Sequence, residues 1–351
     1  MTDPSGDSAA RDETAPRRAE ARRAAENAAS QHEPVQPEPS SFHEHVKARR
    51  DEFEQQIDRA RADFEQVNER INERTGRNLL MAILIGVAIG AVVLATLLFV
   101  KWLFLLFAIP VALLGVFEFS RALQTAGRRV DIVPQLIVGA VIALVAFFQG
   151  HWTHWVVTIA CVVVVIVWRM LGQMAARDGR RYGDVLSDIL VAGFIPIYVP
   201  FLASMTLVLL RQDQGEYWVL GMIIVVVAAD TGAYASGLAF GSHPMAPRIS
   251  PNKTWEGFAG GAVATTVVAI LYGMFVLHVP WWAGAIFGLV LLGSATAGDL
   301  GESMIKRDLG IKDMSSWLPG HGGVLDRLDS ILPSAAAALA MYFLFFPLVS
   351  V

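Results

Sequence analysis

The chain has one cysteine, Cys161, among 351 residues. A disulfide within the chain and a cysteine-ligated metal are therefore both excluded. Charge is scarce too: Asp, Glu, Lys and Arg make up 17% of the residues, against roughly 25% in an ordinary soluble domain. A basic surplus is missing, since the net charge is −4, so no nucleic-acid partner is expected. Even that charge is local. Residues 1–78 carry 13 Lys and Arg against 17 Asp and Glu, while residues 79–351 carry 15 of each sign. No secretory signal peptide is expected either, because no apolar core follows the early arginines.

What the chain has in abundance is apolar length. It is 54% hydrophobic, its mean hydropathy is +0.48, and several runs reach the roughly 20 residues that cross a bilayer as a helix. About nine candidate spans follow one another: 79–100, 102–119, 131–148, 152–169, 185–210, 218–240, 257–278, 280–298 and 330–350. The expected fold is an all-α polytopic membrane protein with about nine transmembrane helices around a polar cavity. The stretch 79–119 is too long for one crossing, so a turn is expected at Lys101. Pro110, Pro134, Pro196 and Pro200 fall inside spans, where kinks are tolerated if neighbouring groups resatisfy the backbone. Cys161 sits in an apolar run, as a lipid-facing or packing residue.

Ahead of the spans, residues 1–41 hold almost no large apolar side chain, and a disordered tail is expected. In residues 42–78, Val46, Phe53, Ile57, Phe64, Val67 and Ile71 recur as one apolar stripe, which predicts an amphipathic juxtamembrane helix. Residues 79–351 then form the transmembrane domain. Loop charge sets its orientation. With the N-terminus inside, 13 Lys and Arg of that domain fall in or beside inside loops, against Lys101 and Arg211 outside. The chain is thus expected to be multi-pass in the plasma (inner) membrane, with its N-terminus and cavity facing the cytoplasm.

Three polar features interrupt the apolar runs. Asp230 follows about 18 Å of mostly apolar helix, where a lone carboxylate needs a partner or a polar cavity. Ser250-Pro251-Asn252-Lys253-Thr254-Trp255-Glu256-Gly257 begins the seventh span. It reads as a helix cap or as a phosphate site at a helix N-terminus. The third feature, residues 299–329, collects six acidic and four basic side chains. If the helix of the eighth span continues, Asp299, Ser303 and Lys306 share a face. Asp326 and Asp329 share one in the same way. Between them, Pro319-Gly320-His321-Gly322-Gly323 cannot be regular helix, and its backbone N–H groups could approach an anion. Carboxylates without cysteine suit a hard cation such as Mg²⁺ rather than zinc.

The run from Ser303 to Asp329 resembles the signature of the phosphatidate cytidylyltransferase (CDP-diacylglycerol synthase) family. Ser303, Lys306-Arg307, Lys312-Asp313, Ser315, Leu318-Pro319, His321-Gly322-Gly323 and Asp326-Arg327-x-Asp329 stand at its spacings. Asp230-x-x-Ala233-Tyr234 and the octet at Ser250 are similar to further elements of that family, with Asn252 where Lys is more usual. The resemblance covers roughly residues 80–351 and implies the reaction of CTP with phosphatidate to give CDP-diacylglycerol and pyrophosphate. It also implies a requirement for Mg²⁺, with a second monovalent or divalent cation as an open option, and a homodimer among membrane lipids.

Carried onto this chain, the resemblance makes Asp299 and Asp326 the first metal ligands, with Asp329 next. Lys306, Arg307, Lys312 and Arg327 hold the triphosphate and the lipid phosphate. His321 either donates to the leaving pyrophosphate or braces the turn. Asp230, Tyr234, Ser250, Lys253, Thr254, Glu256, Ser303, Asp313, Gly322 and Gly323 contribute to substrate binding. Three rival readings stand beside it. Another lipid phosphate could accept the nucleotide. An ion-coupled transporter would use Asp230 but predicts midplane charges in several spans. A scaffold acting through residues 42–78 leaves 299–329 unexplained.

Overall fold

A computed structural model describes residues 50, 79–99, 101–176, 179–315 and 322–349. The expected tail, nearly all of the amphipathic helix and His321 lie outside these residues. The chain divides into two units, Met1–Val67 and Asn68–Val351, and every element below belongs to the second.

The helices are α1 (Leu79–Phe99), α2 (Lys101–Thr125), α3 (Ile132–Phe148), α4 (His151–Ala176), α5 (Tyr182–Pro196), α6 (Leu202–Leu210) and α7 (Gly215–Phe240). After a hairpin of β1 (Pro244–Ala246) and β2 (Ser250–Thr254) come α8 (Trp255–Phe275), α9 (Trp281–Leu309), the single turn α10 (Leu325–Leu328) and α11 (Ile331–Phe345). Among the described residues, seven helical segments are long and apolar enough to cross a membrane. Two further apolar stretches, Gly86–Phe99 and Ile132–Phe148, are shorter. The break at Lys101 is there: α2 starts on that residue and packs back against α1.

One expectation is corrected and two are met in finer detail. The chain is not all-α, because residues 244–254 pair antiparallel with Pro244 opposite Thr254 and Ala246 opposite Ser250. Prolines in the loop and an unsatisfied Ser250–Thr254 backbone favour a short ladder there over another helical turn. The helix of the eighth span does continue past residue 298: α9 runs on to Leu309 and stops at Gly310 in the left-handed conformation. The prolines of the fifth span leave the local irregularity expected of them: Ile197–Phe201 form a π-helical turn between α5 and α6 within one continuous helical segment, Tyr182–Leu210.

Exposed Trp152, Ile159 and Val163 along α4 mark a face suited to lipid rather than water. Cys161 is buried beside Val138, Ile142 and Val165, which makes it a packing residue. Small residues bring α7 and α8 together, with Gly232 and Ser236 against Gly260. Buried Asp188 of α5 pairs with Arg180 and lies 3.9 Å from Arg169 of α4. It also accepts from the Arg129 backbone N–H at 3.1 Å, so one carboxylate ties three segments.

The main core centres on Trp218, fully buried between Phe287 of α9 and Tyr342 of α11, with ring centroids 5.6 and 5.4 Å away. Trp218→Ala is expected to cost about 3 kcal/mol, the lower end for such a truncation, because the gain in a lipid-soluble chain is packing rather than escape from water. Thermal unfolding of purified protein in detergent measures it; an unchanged midpoint would show that α7 is not held there.

Candidate active site

The extension of α9 beyond the expected span carries Asp299, Glu302, Ser303, Lys306 and Arg307 on consecutive turns. Its position is set at Gly298, where an added Cβ would lie 2.2 Å from the Asp329 carbonyl oxygen and 2.5 Å from Pro333. Only a residue without a side chain lets α9 cross the start of α11 this closely. That crossing brings Asp299 and Asp329 to one space. Ser303 Oγ donates to Asp299 Oδ1 at 3.4 Å, and Lys253 of β2 forms an ion pair with Asp299 Oδ2. The far end of α9 is tied to the hairpin by Arg307, whose Nε donates to the Ile249 carbonyl at 3.2 Å.

A cavity of about 640 Å³ opens here. Asp230 and Tyr234 of α7, Lys253 and Thr254 of β2, Asp299 of α9, and Asp326, Arg327 and Asp329 around α10 all line it. Eight of the expected site residues are thus brought together from four separate parts of the chain. Thr254 does double duty, because its Oγ1 also accepts from Gly257 N at 3.1 Å and caps α8. Asp329 Oδ1 accepts from Ser330 N at 2.7 Å.

Beside the cavity, Lys306, Gly322 and Gly323 close around Asp326 as a lock. Asp326 accepts from Lys306 Nζ at 3.0 Å, from Gly323 N at 2.8 Å and from Met314 N at 3.0 Å. Lys306 Nζ also lies 3.3 Å from Glu302, whose side chain is fully buried. Gly322 has φ +78°, and a Cβ on Gly323 would lie 2.7 Å from Glu118 Oε2 and 3.0 Å from Asp326 Oδ2. Of the N–H groups expected in this glycine turn, that of Gly323 is engaged, and the anion it meets is Asp326.

Other expected residues stand elsewhere. Ser250 pairs in the hairpin and does not line the cavity. Glu256 accepts from the backbone N–H groups of Ser242 and His243, both at 3.2 Å, and ties the base of the hairpin, where the chain enters β1 and leaves β2. Lys312 and Asp313 are exposed on the turn after α9. Among the described residues, no three acidic, His or Cys side chains converge closely enough to hold one ion by themselves.

Sequence reasoning missed two carboxylates. Glu302 was counted among the charges of the stretch without a role. Glu118 lies far away in sequence, near the end of α2, and is buried. It accepts from Ser315 Oγ and, at 2.9 Å, from Leu325 N, so it grips both ends of the segment 315–325. The available signal was an acidic residue between Phe117 and Phe119 in an otherwise apolar span.

With this geometry in hand, comparison with known proteins is informative. The cytidylyltransferase family model matches residues 80–345. The phosphatidate cytidylyltransferase of Mycobacterium bovis is 39% identical over 270 residues, 76% of this chain and 88% of its own. That of Mycobacterium leprae is 39% identical over 287 residues, covering 76% and 88%. That of Haemophilus influenzae is 32% identical over 282 residues, covering 75% and 96%. The protein is thus a mostly helical one, with seven helical segments among the described residues long and apolar enough to cross a membrane, and it belongs to the cytidylyltransferase family.

Glu118→Ala leaves the buried Leu325 N–H without an acceptor, a loss of about 1–3 kcal/mol. Faster amide exchange in the peptides covering 314–326, with α7 and α8 unchanged, is the expected result of hydrogen-exchange mass spectrometry. Unaltered exchange would remove Glu118 from the lock.

Proposed function

We propose that the protein transfers the cytidylyl group of CTP to phosphatidate, giving CDP-diacylglycerol and pyrophosphate. The observation that carries this reading is one cavity in which Lys253 and Arg327 face Asp230, Asp299 and Asp329, in a chain of the cytidylyltransferase family. Two fixed cations suit phosphates, and the carboxylates offer oxygen donors to a hard cation.

A phosphatidate phosphate oxygen attacks the α-phosphorus of CTP. The new oxygen–phosphorus bond forms as the bond to the β-phosphate bridging oxygen breaks, and that oxygen leaves with the electron pair as pyrophosphate. The nucleophile is already anionic, so the residues need not act as a strong base. Their work is positioning and charge neutralisation. Lys253, oriented by Asp299, and Arg327 hold the reacting phosphates. Lys306 keeps Asp326 in place, and Arg307 and Lys312, on the outer side of the lock, attract the triphosphate as it arrives. Tyr234 and Thr254 line the path beside them, and His321 donates to the leaving group or braces its turn.

The donor set fits Mg²⁺, which binds through one or two carboxylates plus substrate phosphates and does not need a full protein cage. Asp299 and Asp329 would hold it, with Asp326 contributing what its three donors leave free. When bound, the ion would neutralise charge on the triphosphate. We further read the chain as nine spans in the plasma membrane with the cavity on the cytoplasmic side, where CTP is supplied, and as a homodimer. The loop charge bias supports the orientation.

Purified protein is expected to release pyrophosphate from CTP on addition of phosphatidate and Mg²⁺, and to stop when EDTA is added. Lys253→Ala should lower kcat/KM at least a hundredfold, about 2.7 kcal/mol of transition-state stabilisation. Pyrophosphate release with another lipid phosphate but not with phosphatidate would overturn the assignment of the acceptor.

A further inference from the structure

A second cavity, of about 520 Å³, lies between α1, α2, α6, α7 and the start of α11, and its walls are almost entirely apolar. Two elements are shared between it and the charged cavity. On α7, Leu220, Ile223 and Val227 line the apolar space, and Asp230 and Tyr234 line the charged one. The spacings from Ile223 onward are four, three and four residues, so these side chains form one stripe on one face of the helix. The face changes from hydrocarbon to carboxylate between Val227 and Asp230, within a single turn.

The segment 326–332 repeats the division. Asp326, Arg327, Asp329 and Ser330 face the charged cavity, and Leu328, Ile331 and Leu332 face the apolar one. A molecule lying along the α7 stripe would meet fixed charge at one end and hydrocarbon at the other. From Asp230 to Leu220 the apolar part extends about 15 Å, and the volume is in the range of about 300–1,000 Å³ usual for small-ligand sites.

We propose that this apolar cavity is an acyl-chain site that holds one fatty chain of the lipid whose phosphate occupies the charged cavity. The proposal rests on the reading of that cavity as one that takes a lipid phosphate. Its occupant is argued from adjacency: the charged wall at Asp230 and the apolar wall at Val227 are one helical turn apart on α7, and Leu328 of the apolar wall lies between Arg327 and Asp329 of the charged one. Thr206 of α6 also lines the space and is half-buried. The groove therefore discriminates between acceptors by chain length, while the charged cavity is indifferent to it.

The test compares dioctanoyl and dipalmitoyl phosphatidate in mixed micelles, with CTP and Mg²⁺. Val227→Trp and Thr206→Phe fill the space from two different helices without replacing a fully buried side chain. Each is expected to lower kcat/KM for the dipalmitoyl lipid at least tenfold more than for the dioctanoyl lipid. Equal losses on both lipids, or no loss on either, would overturn the proposal; equal losses are also what a structural lipid resident in the groove, or a folding defect, would give. If the unmodified protein converts neither phosphatidate, the reading of the charged cavity fails and the acyl-chain site falls with it. That outcome is distinct from an active protein indifferent to both substitutions.

Discussion

Asp326 accepts from Lys306 Nζ, from Met314 N and from Gly323 N, which joins α9, the turn after it and the segment leading into α10 at one side chain. The carboxylate is 6% exposed and the ammonium 17%. An ion pair so enclosed gains little net stability over an apolar replacement, but removing one partner strands a buried charge at about 3–5 kcal/mol. The pair is therefore better understood as a device for fixing geometry than as a source of stability. Glu118 supplies the other half of that device from α2, and the glycines at 322 and 323 leave room for both carboxylates.

Fixing that segment fixes the cavity wall. Arg327 and Asp329 leave the same turn as Asp326, and Gly298 lets Asp299 lie across from them. The hairpin completes the arrangement, because Glu256 ties its base while Lys253 of β2 reaches Asp299. Signature residues thus fall into two groups with different work. Asp299, Lys253, Arg327 and Asp329 face the cavity, and Lys306, Gly322 and Gly323 hold the wall from behind.

Much of this was legible in the chain itself. The charge density of 299–329 and the isolated Asp230 marked the site, because polar groups in apolar segments need a purpose. The turn at Lys101 followed from length alone. The role of Glu118 was not legible, since its partner Ser315 is 197 residues away and no local spacing encodes such a contact. The placement of Ser250 and Glu256 was not legible for a related reason. A polar octet before a helix reads the same whether its side chains turn toward a ligand or toward their own hairpin, and only the strand register decides between them. The apolar stripe of α7 was hidden as well, because in a span hydrophobic on every side no face stands out by periodicity.

The central claim is that Lys306 and Asp326 act as one unit that shapes the site. A double-mutant cycle on thermal stability, with Lys306→Met, Asp326→Asn and the pair combined in protein free of nucleotide, tests it directly. The account predicts that each single substitution lowers the unfolding midpoint clearly and that the double substitution lowers it no further than the worse single one. Losses that simply add would contradict it.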